Sequence, residues 1–208
     1  MDNGVTVQYV EEENILRSAH NDTIRALVQA MDMNMPGEGG HSNRVAVMAV
    51  ATAERLGMGP EELLLVRQAA ALHDIGKIGL DTRLLHKVGP LTAHDVDGLR
   101  KHATAAMKVI ESLMWLAPCA EMIVHHHERW DGTGYPDELS GAEIPLGARI
   151  IAVAEAFDVL VTPSCWKEWV REEEAMAEIR RCAGSQFDPE VVDAFGEIQP
   201  LIQPIVLD

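Results

Sequence analysis

The sequence predicts an all-α domain with an N-terminal helical extension, on three observations. Helix-start signals recur along the chain, runs with strand-like alternation are scarce, and no internal repeat or low-complexity segment divides the 208 residues. A composition of 47% apolar and 24% charged residues is a globular balance, and the length suffices for one sizeable core. Residues 1–35 read as the extension and 36–208 as the domain.

The elements follow in order. "ILRSAHNDTIRALVQAM" has the pattern of one amphipathic helix behind a polar start, and a second helix is expected over 42–56. Gly57 and Gly59 then punctuate the chain. Pro60 suits a first helical turn, Glu61 and Glu62 favour its positive end, and the helix runs towards His73. Thr92 and Asp95 form a capping-box-like pair opening one helix through Leu113. Further helices are expected over 119–127, 146–161 and 167–182, and a last one where Asp188 caps and Pro189 takes the first position. Turn residues concentrate in "DGTGYPDELSGAEIPLG", a long polar loop of the kind that is often functional.

Charge and cysteine usage narrow the function. A formal net charge of −16 argues against a surface that grips a nucleic acid polymer, while a local cation cluster could still accept a small anion. Cys119, Cys165 and Cys182 are scattered and form no CxxC, as expected of reduced thiols. "MDNGVTVQYVEEEN" has no signal-peptide pattern, and "VAVMAVATA" is too short to span a bilayer. The expectation is a soluble, cytoplasmic protein without membrane contact.

Five of the nine histidines stand where apolar helical stripes should be. His41 shares a face with Val45 and Met48, His73 continues the stripe of Val66 and Ala69, and His102 lies between Leu99 and Ala106. His126 and His127 end the helix through Met122 and Ile123. One such histidine is usually a satisfied core residue. Five in one helical domain point to metal, because an unpaired buried imidazole is costly and neutral imidazole is the commonest metal ligand. Asp74 follows His73 and can bridge two cations. Glu155 places a charge on the stripe of Ala148, Ile151 and Val159. Nitrogen and oxygen donors without thiolate favour iron, manganese or another borderline-hard divalent ion. His20, His86 and His94 sit in polar surroundings and are expected at the surface. His125, on a neighbouring face, is expected to support the ligands or meet solvent.

"HDIGK" (73–77) followed by "HHERWDGTGYP" (126–136) resembles the HD-GYP family, a branch of the HD-domain metal-dependent phosphohydrolases. The likeness covers roughly 41–195 and includes "HSNRVAVMAVATAERLGM", "LRKHATAAMKVIE", "EIPLGARIIAVAEAFD" and "GSQFDPEVVDAF". It implies an all-α HD-domain helical core with additional C-terminal helices, and a centre of two divalent metal ions, iron or manganese. Carried over residue by residue, His41, His73, Asp74 and Glu155 would hold one ion. Asp74 would bridge to a second held by His102, His126 and His127. The implied substrate is cyclic di-GMP or a related cyclic dinucleotide, attacked by metal-activated hydroxide. Asp74 and Lys77 are the expected catalytic residues, Lys77 facing the scissile phosphate as a point charge. Lys77, Lys167, Gly134 and Tyr135 are the expected substrate contacts, and the GYP loop is also linked to protein partners.

Four departures from the family pattern matter. The Glu of three-metal members is replaced by Gly37, with Glu38 one residue out of register, which favours two metals. The late Asp ligand is Glu155, longer by one methylene. In "VLVTPSCWK", Lys167 is kept, but Ser164 stands at the usual arginine and Trp166 at the tyrosine, and serine cannot reproduce a bidentate grip. No receiver or other sensory domain is read ahead of the catalytic region, so the N-terminal helix is expected to mediate homodimerisation or to pack on the domain. The alternative to a working enzyme is a weak or inactive HD-GYP module that binds a nucleotide or a protein. Two further readings are a phosphohydrolase acting on another nucleotide and, less well served by Lys77 and the GYP loop, a diiron oxygenase.

Overall fold

The computed structural model describes the backbone of residues 3–163 and 169–206, with side chains for 11–12, 14–163 and 169–202. Among the described residues there is no strand, only an isolated bridge between Ala183 and Phe187. Ser164, Cys165, Trp166 and Lys167 lie outside the described residues.

Helix α1 (Asn3–Asn34) has Ile15 and Leu16 exposed and, further on, Ile24, Val28 and Met31 buried, so its second half joins the core. A single oxygen of Asp32 accepts the backbone N–H groups of Gly37 (2.9 Å) and Gly39 (3.0 Å). That carboxylate closes the turn into α2 (Glu38–Arg55) and satisfies a donor at its start. Gly37 occupies the left-handed region at φ 100° inside this turn, where a side chain would be strained.

The core forms around α2, whose Val45, Met48, Ala49 and Ala53 are buried against α3 (Pro60–Leu72), α9 (Leu146–Val161) and α11 (Pro189–Val206). Alanines on α2 and α3 keep those two helices close. The rings of Phe157 and Phe195 meet at 5.2 Å and join α9 to α11. Fully burying one such ring is worth about 1.5–3 kcal/mol. The start of α3 is as expected: Glu62 reaches back to the N–H of Gly59 at 2.8 Å, with Pro60 in first place. Asp188 accepts from the N–H of Glu190 at 2.9 Å and opens α11.

The single helix expected from Thr92 to Leu113 is instead three short helices, α5 (Ala93–Arg100), α6 (His102–Ala105) and α7 (Met107–Ile110). The capping pair of Thr92 and Asp95 does start the run. The structure shows a crowded crossing where it breaks. The turn Ile75–Gly79 presses onto the run so closely that a Cβ on Gly76 would lie 1.9 Å from the carbonyl oxygen of His102. Glycine in "HDIGK" is therefore demanded by packing. A short α4 (Thr82–Leu85) connects the two segments. The segment expected as one helix over 119–127 is a 3₁₀ turn, Met114–Cys119, then α8 (Ala120–Val124), which leaves 125–127 in a turn. The ninth and eleventh helices are separated by α10 (Glu172–Arg181).

Candidate metal centre

Four elements deliver the histidines to one place. His41 comes from α2, His73 from the end of α3, His102 from the start of α6, and His126 and His127 from the turn after α8. Their ring nitrogens and neighbouring carboxylates fall into two sets whose donor atoms lie within 4.8 Å of one another. One holds His41, His73, Asp74 and Glu155; the other holds His102, His126 and His127.

The rings are oriented from behind. His73 Nδ1 lies 2.8 Å from the carbonyl of Ala70, His102 Nδ1 2.7 Å from that of Leu99, and His126 Nδ1 2.6 Å from that of Ile123. His41 Nδ1 lies 2.7 Å from Asp158 Oδ2. A carbonyl or carboxylate can only accept, so each Nδ1 carries a proton and Nε2 is the nitrogen that faces inward, a lone pair wherever the ring is neutral. This is a repeated consequence of helix ends: each of the three carbonyls belongs to a residue three positions earlier in the same turn.

What faces inward has too few protons. His102 Nε2 and His126 Nε2 stand 3.4 Å apart, two acceptors pointing at each other. His73 Nε2 and Asp74 Oδ1 are buried without a hydrogen-bond partner. Asp74 places Oδ2 3.2 Å from His73 Nε2 and Oδ1 3.3 Å from His102 Nε2, one oxygen towards each set. Converging lone pairs around a shared buried carboxylate are what a pair of cations would satisfy, and the donor set fits divalent ions.

The electrostatics separate His102 and His126 from His73. Burial opposes charging His126, and neighbouring histidines add to this, holding its pKa well below the usual value. Burial likewise lowers that of His102. Burial also opposes charging His73, but Asp74 outweighs it and lifts His73 to about 9: the buried carboxylate demands a positive neighbour. Asp74 itself stays ionised despite burial because Lys77 and His73 flank it.

Lys77 lies at the centre. Its ammonium donates to Asp74 Oδ2 at 2.6 Å and to Glu38 Oε1. Glu38, out of register in the sequence, thus reaches the site, with its pKa raised by burial and by Asp74. Tyr135 stacks on His127 with centroids 4.9 Å apart. Gly134 is pressed against the backbone of Glu128 and Arg129, where a Cβ would sit 2.4–2.5 Å from main-chain atoms. Lys167 lies outside the described residues. A cavity of about 350 Å³ opens beside His126, His127 and Glu155, walled by Val159, Leu160 and Phe187. Val159 is 48% exposed, so the α9 stripe read as apolar leaves the core at Glu155.

Four features were not expected from the sequence. Asp158 orients His41 and is itself gripped by Arg44 at 2.6 and 2.9 Å. It stands three residues after Glu155, one helical turn on, and that spacing was the available signal. Glu128 is 4% exposed and accepts the N–H of Asp137, fastening the GYP loop. His125 is buried, bonded to the carbonyl of Glu121 and to Asp137 Oδ2, and supports the loop rather than meeting solvent. His20, expected at the surface, is half-buried and stacks on Trp115 at 4.0 Å, because the end of α1's exposed half folds over the 3₁₀ turn.

The family model described as "HD domain" matches residues 25–191. The chain belongs to the HD-domain family. Its HDxGK and HHExxDGxGYP residues, brought together here, are those of the HD-GYP branch. Among relatives of this HD-domain chain, a cyclic di-GMP phosphodiesterase of Thermotoga maritima is 38% identical over 79% of the chain and 45% of that protein. The cyclic di-GMP phosphodiesterase response regulator RpfG of Xanthomonas campestris is 34% identical over 87% of the chain and 48% of that protein. The chain thus spans about half the length of the curated relatives it matches. In fold it is similar to a crystal structure of a Vibrio cholerae cyclic GMP-AMP-specific phosphodiesterase. The TM-score is 0.66 at 23% identity, over 89% of this chain and 49% of that one.

Proposed function

We propose that this HD-GYP chain is the catalytic unit of a metal-dependent phosphodiesterase that opens cyclic di-GMP or a related cyclic dinucleotide. The observation that carries this reading is Asp74, buried, unpartnered at one oxygen and shared between two sets of inward-facing lone pairs, with the Lys77 ammonium beside it. His41, His73, Asp74 and Glu155 would hold one divalent ion, and His102, His126 and His127 with Asp74 the other, iron or manganese in keeping with N/O donors. When bound, such ions supply polarisation of the phosphoryl oxygens and a water acidic enough to attack near neutral pH.

The chain's own residues do the rest. Carbonyls behind His73, His102 and His126 hold a proton on each Nδ1 and keep Nε2 aimed inward, so little reorganisation accompanies binding. Lys77 stays a cation, since Asp74 and Glu38 outweigh its burial, and it offers a fixed positive charge to a phosphate oxygen. Tyr135, fixed on His127 by stacking, forms a wall of the site. The GYP loop, tied down by Glu128 and His125, presents Asp131 and Thr133 outward, a surface on which a protein partner could sit. Helix α1 exposes Ile15 and Leu16 on its first half, which suits a homodimer contact. No helix among the described residues is long and apolar enough to cross a membrane, and a cytoplasmic location agrees with a cyclic dinucleotide substrate.

The test is anaerobic incubation of iron- or manganese-loaded protein with cyclic di-GMP beside Asp74→Ala, with products separated by chromatography and metal counted. Linear dinucleotide or GMP from the wild type alone, with metal lost from the variant, is the expected outcome. No product from folded, metal-loaded wild type would transfer the reading to a non-catalytic binding module.

A further inference from the structure

Arg100 is the last residue of α5 and stands two residues before His102. Its guanidinium carbon lies 5.1 Å from the centroid of the Tyr135 ring. Tyr135 in turn stacks on His127 at an interplanar angle of 27°. An exposed arginine is therefore held one aromatic ring away from a member of the second ligand set.

Four other cations differ from it in one respect. Arg44 is held by Asp158, Lys77 by Asp74 and Glu38, Arg129 by Asp131, and Arg149 by Asp188. Each of these four cations is matched by a carboxylate. Arg100 has no carboxylate partner among the described residues and rests on an aromatic face. Such a contact at an exposed position is worth only about 0.5–1 kcal/mol, and it leaves the N–H edge of the planar fork unused. In a chain of net charge −16, an exposed guanidinium with no carboxylate partner, resting beside the second ligand set, is open to an anionic ligand.

A cyclic dinucleotide carries two phosphodiesters on one ring. When one is at the ligand sets, the other is displaced to the side and must be met by protein or water. We infer that Arg100 is a substrate-binding residue that takes the non-scissile phosphate of the cyclic dinucleotide, with Tyr135 as the platform that aims it. This rests on the phosphodiesterase reading above and deepens it by assigning a second anion contact. The two N–H donors along one edge of the fork match two phosphoryl oxygens, and the pairing is charge-assisted.

The test uses the full, manganese-loaded chain and the bisphosphorothioate analogue of cyclic di-GMP, which resists hydrolysis, titrated calorimetrically at low and high salt. Arg100→Met keeps an apolar stem over Tyr135 and removes the charge; Arg100→Lys keeps the charge without the fork. The expected result is a Kd raised about tenfold or more in Arg100→Met and less in Arg100→Lys. Metal content should be unchanged, and the salt dependence of binding shallower in Arg100→Met, because a screened charge pair has been deleted. An unchanged Kd with intact metal overturns the assignment. Weaker binding with an undiminished salt dependence also overturns it, since the contact would then be to a base. Loss of metal together with binding would make Arg100 a structural residue and overturn it as well. Failure of the wild type itself to bind shows in the first titration, and removes the phosphodiesterase reading along with this inference.

Discussion

Asp158 shows how much of a metal site is decided behind the ligands. It is 1% exposed, accepts from His41 and is held by two donors of the Arg44 fork, so both its oxygens are engaged. Burial works against its ionisation, but the bonds from His41 and Arg44 keep its pKa below the ordinary carboxylate range. Replacing it by Asn keeps the volume but halves the acceptors and removes the charge that favours the proton on His41 Nδ1. Asp158→Asn is expected to weaken metal binding at the first set by about ten- to a hundredfold. Competition with a colorimetric chelator measures this, and unchanged affinity would mean that His41 is oriented without Asp158. The histidines themselves were legible because polar residues on apolar stripes need a reason. Asp158 was passed over because one acidic residue near a helix end has no such conflict in the sequence. His125 and His20 show the limit from the other side: burial of a single imidazole depends on what another segment lays over it.

At the scale of elements, the three helix starts with explicit capping chemistry, at Gly59, Thr92 and Asp188, lie where expected, since caps are local hydrogen bonds. The interruption of the run after Thr92 was not legible, because it coincides with the approach of the Ile75–Gly79 turn from elsewhere in the chain. The 3₁₀ segment before α8 gives a further test. Cys119 ends it, fully buried, with its thiol 3.7 Å from the carbonyl of Leu65 and 3.6 Å from Gln68 Oε1 on α3. Burial pushes the thiol up to about 12. A thiol of the unfolded chain ionises near pH 8.5, so between roughly pH 8.5 and 12 the unfolded state holds fewer protons and stability falls as pH rises. Urea unfolding should show this alkaline decline in the wild type and a smaller one in Cys119→Ala. Iodoacetamide at pH 8 should leave Cys119 unmodified until the protein is denatured. Labelling at the rate of a free thiol in the native state would contradict the burial of this segment against α3.

For the whole molecule, the centre is a place where four helical segments end with their polar groups facing one another. Without cations, His102 Nε2 and His126 Nε2 face each other at 3.4 Å with no proton to share; with cations the ligand sets become cross-links. Metal loading is therefore expected to stabilise the fold as well as activate it. At a hundred times Kd the gain is about 2.7 kcal/mol, which for a chain of this size is a rise in Tm of roughly 5–10 °C. Thermal scans of manganese-loaded and EDTA-treated protein give the comparison, and equal Tm values would show that the site is not occupied by metal under those conditions. The protein's acidity matters at this scale too. Arg44, Lys77, Arg129 and Arg149 are each matched by a carboxylate, whereas Arg100 has no carboxylate partner among the described residues.

By itself the sequence determined the all-α class, the positions of most helices, and the identity of the seven candidate metal-site residues. Each of these follows from relations within one helical stretch: a cap to its N–H, an apolar stripe to its period, a histidine to the stripe it interrupts. Only the tertiary structure decided how near these residues come to one another, that Glu38 reaches Lys77 despite its register, and that Asp158, Glu128 and Arg100 belong to the same neighbourhood. Those are distances between segments far apart in the chain, fixed by how helices pack, and no local pattern of side chains carries them.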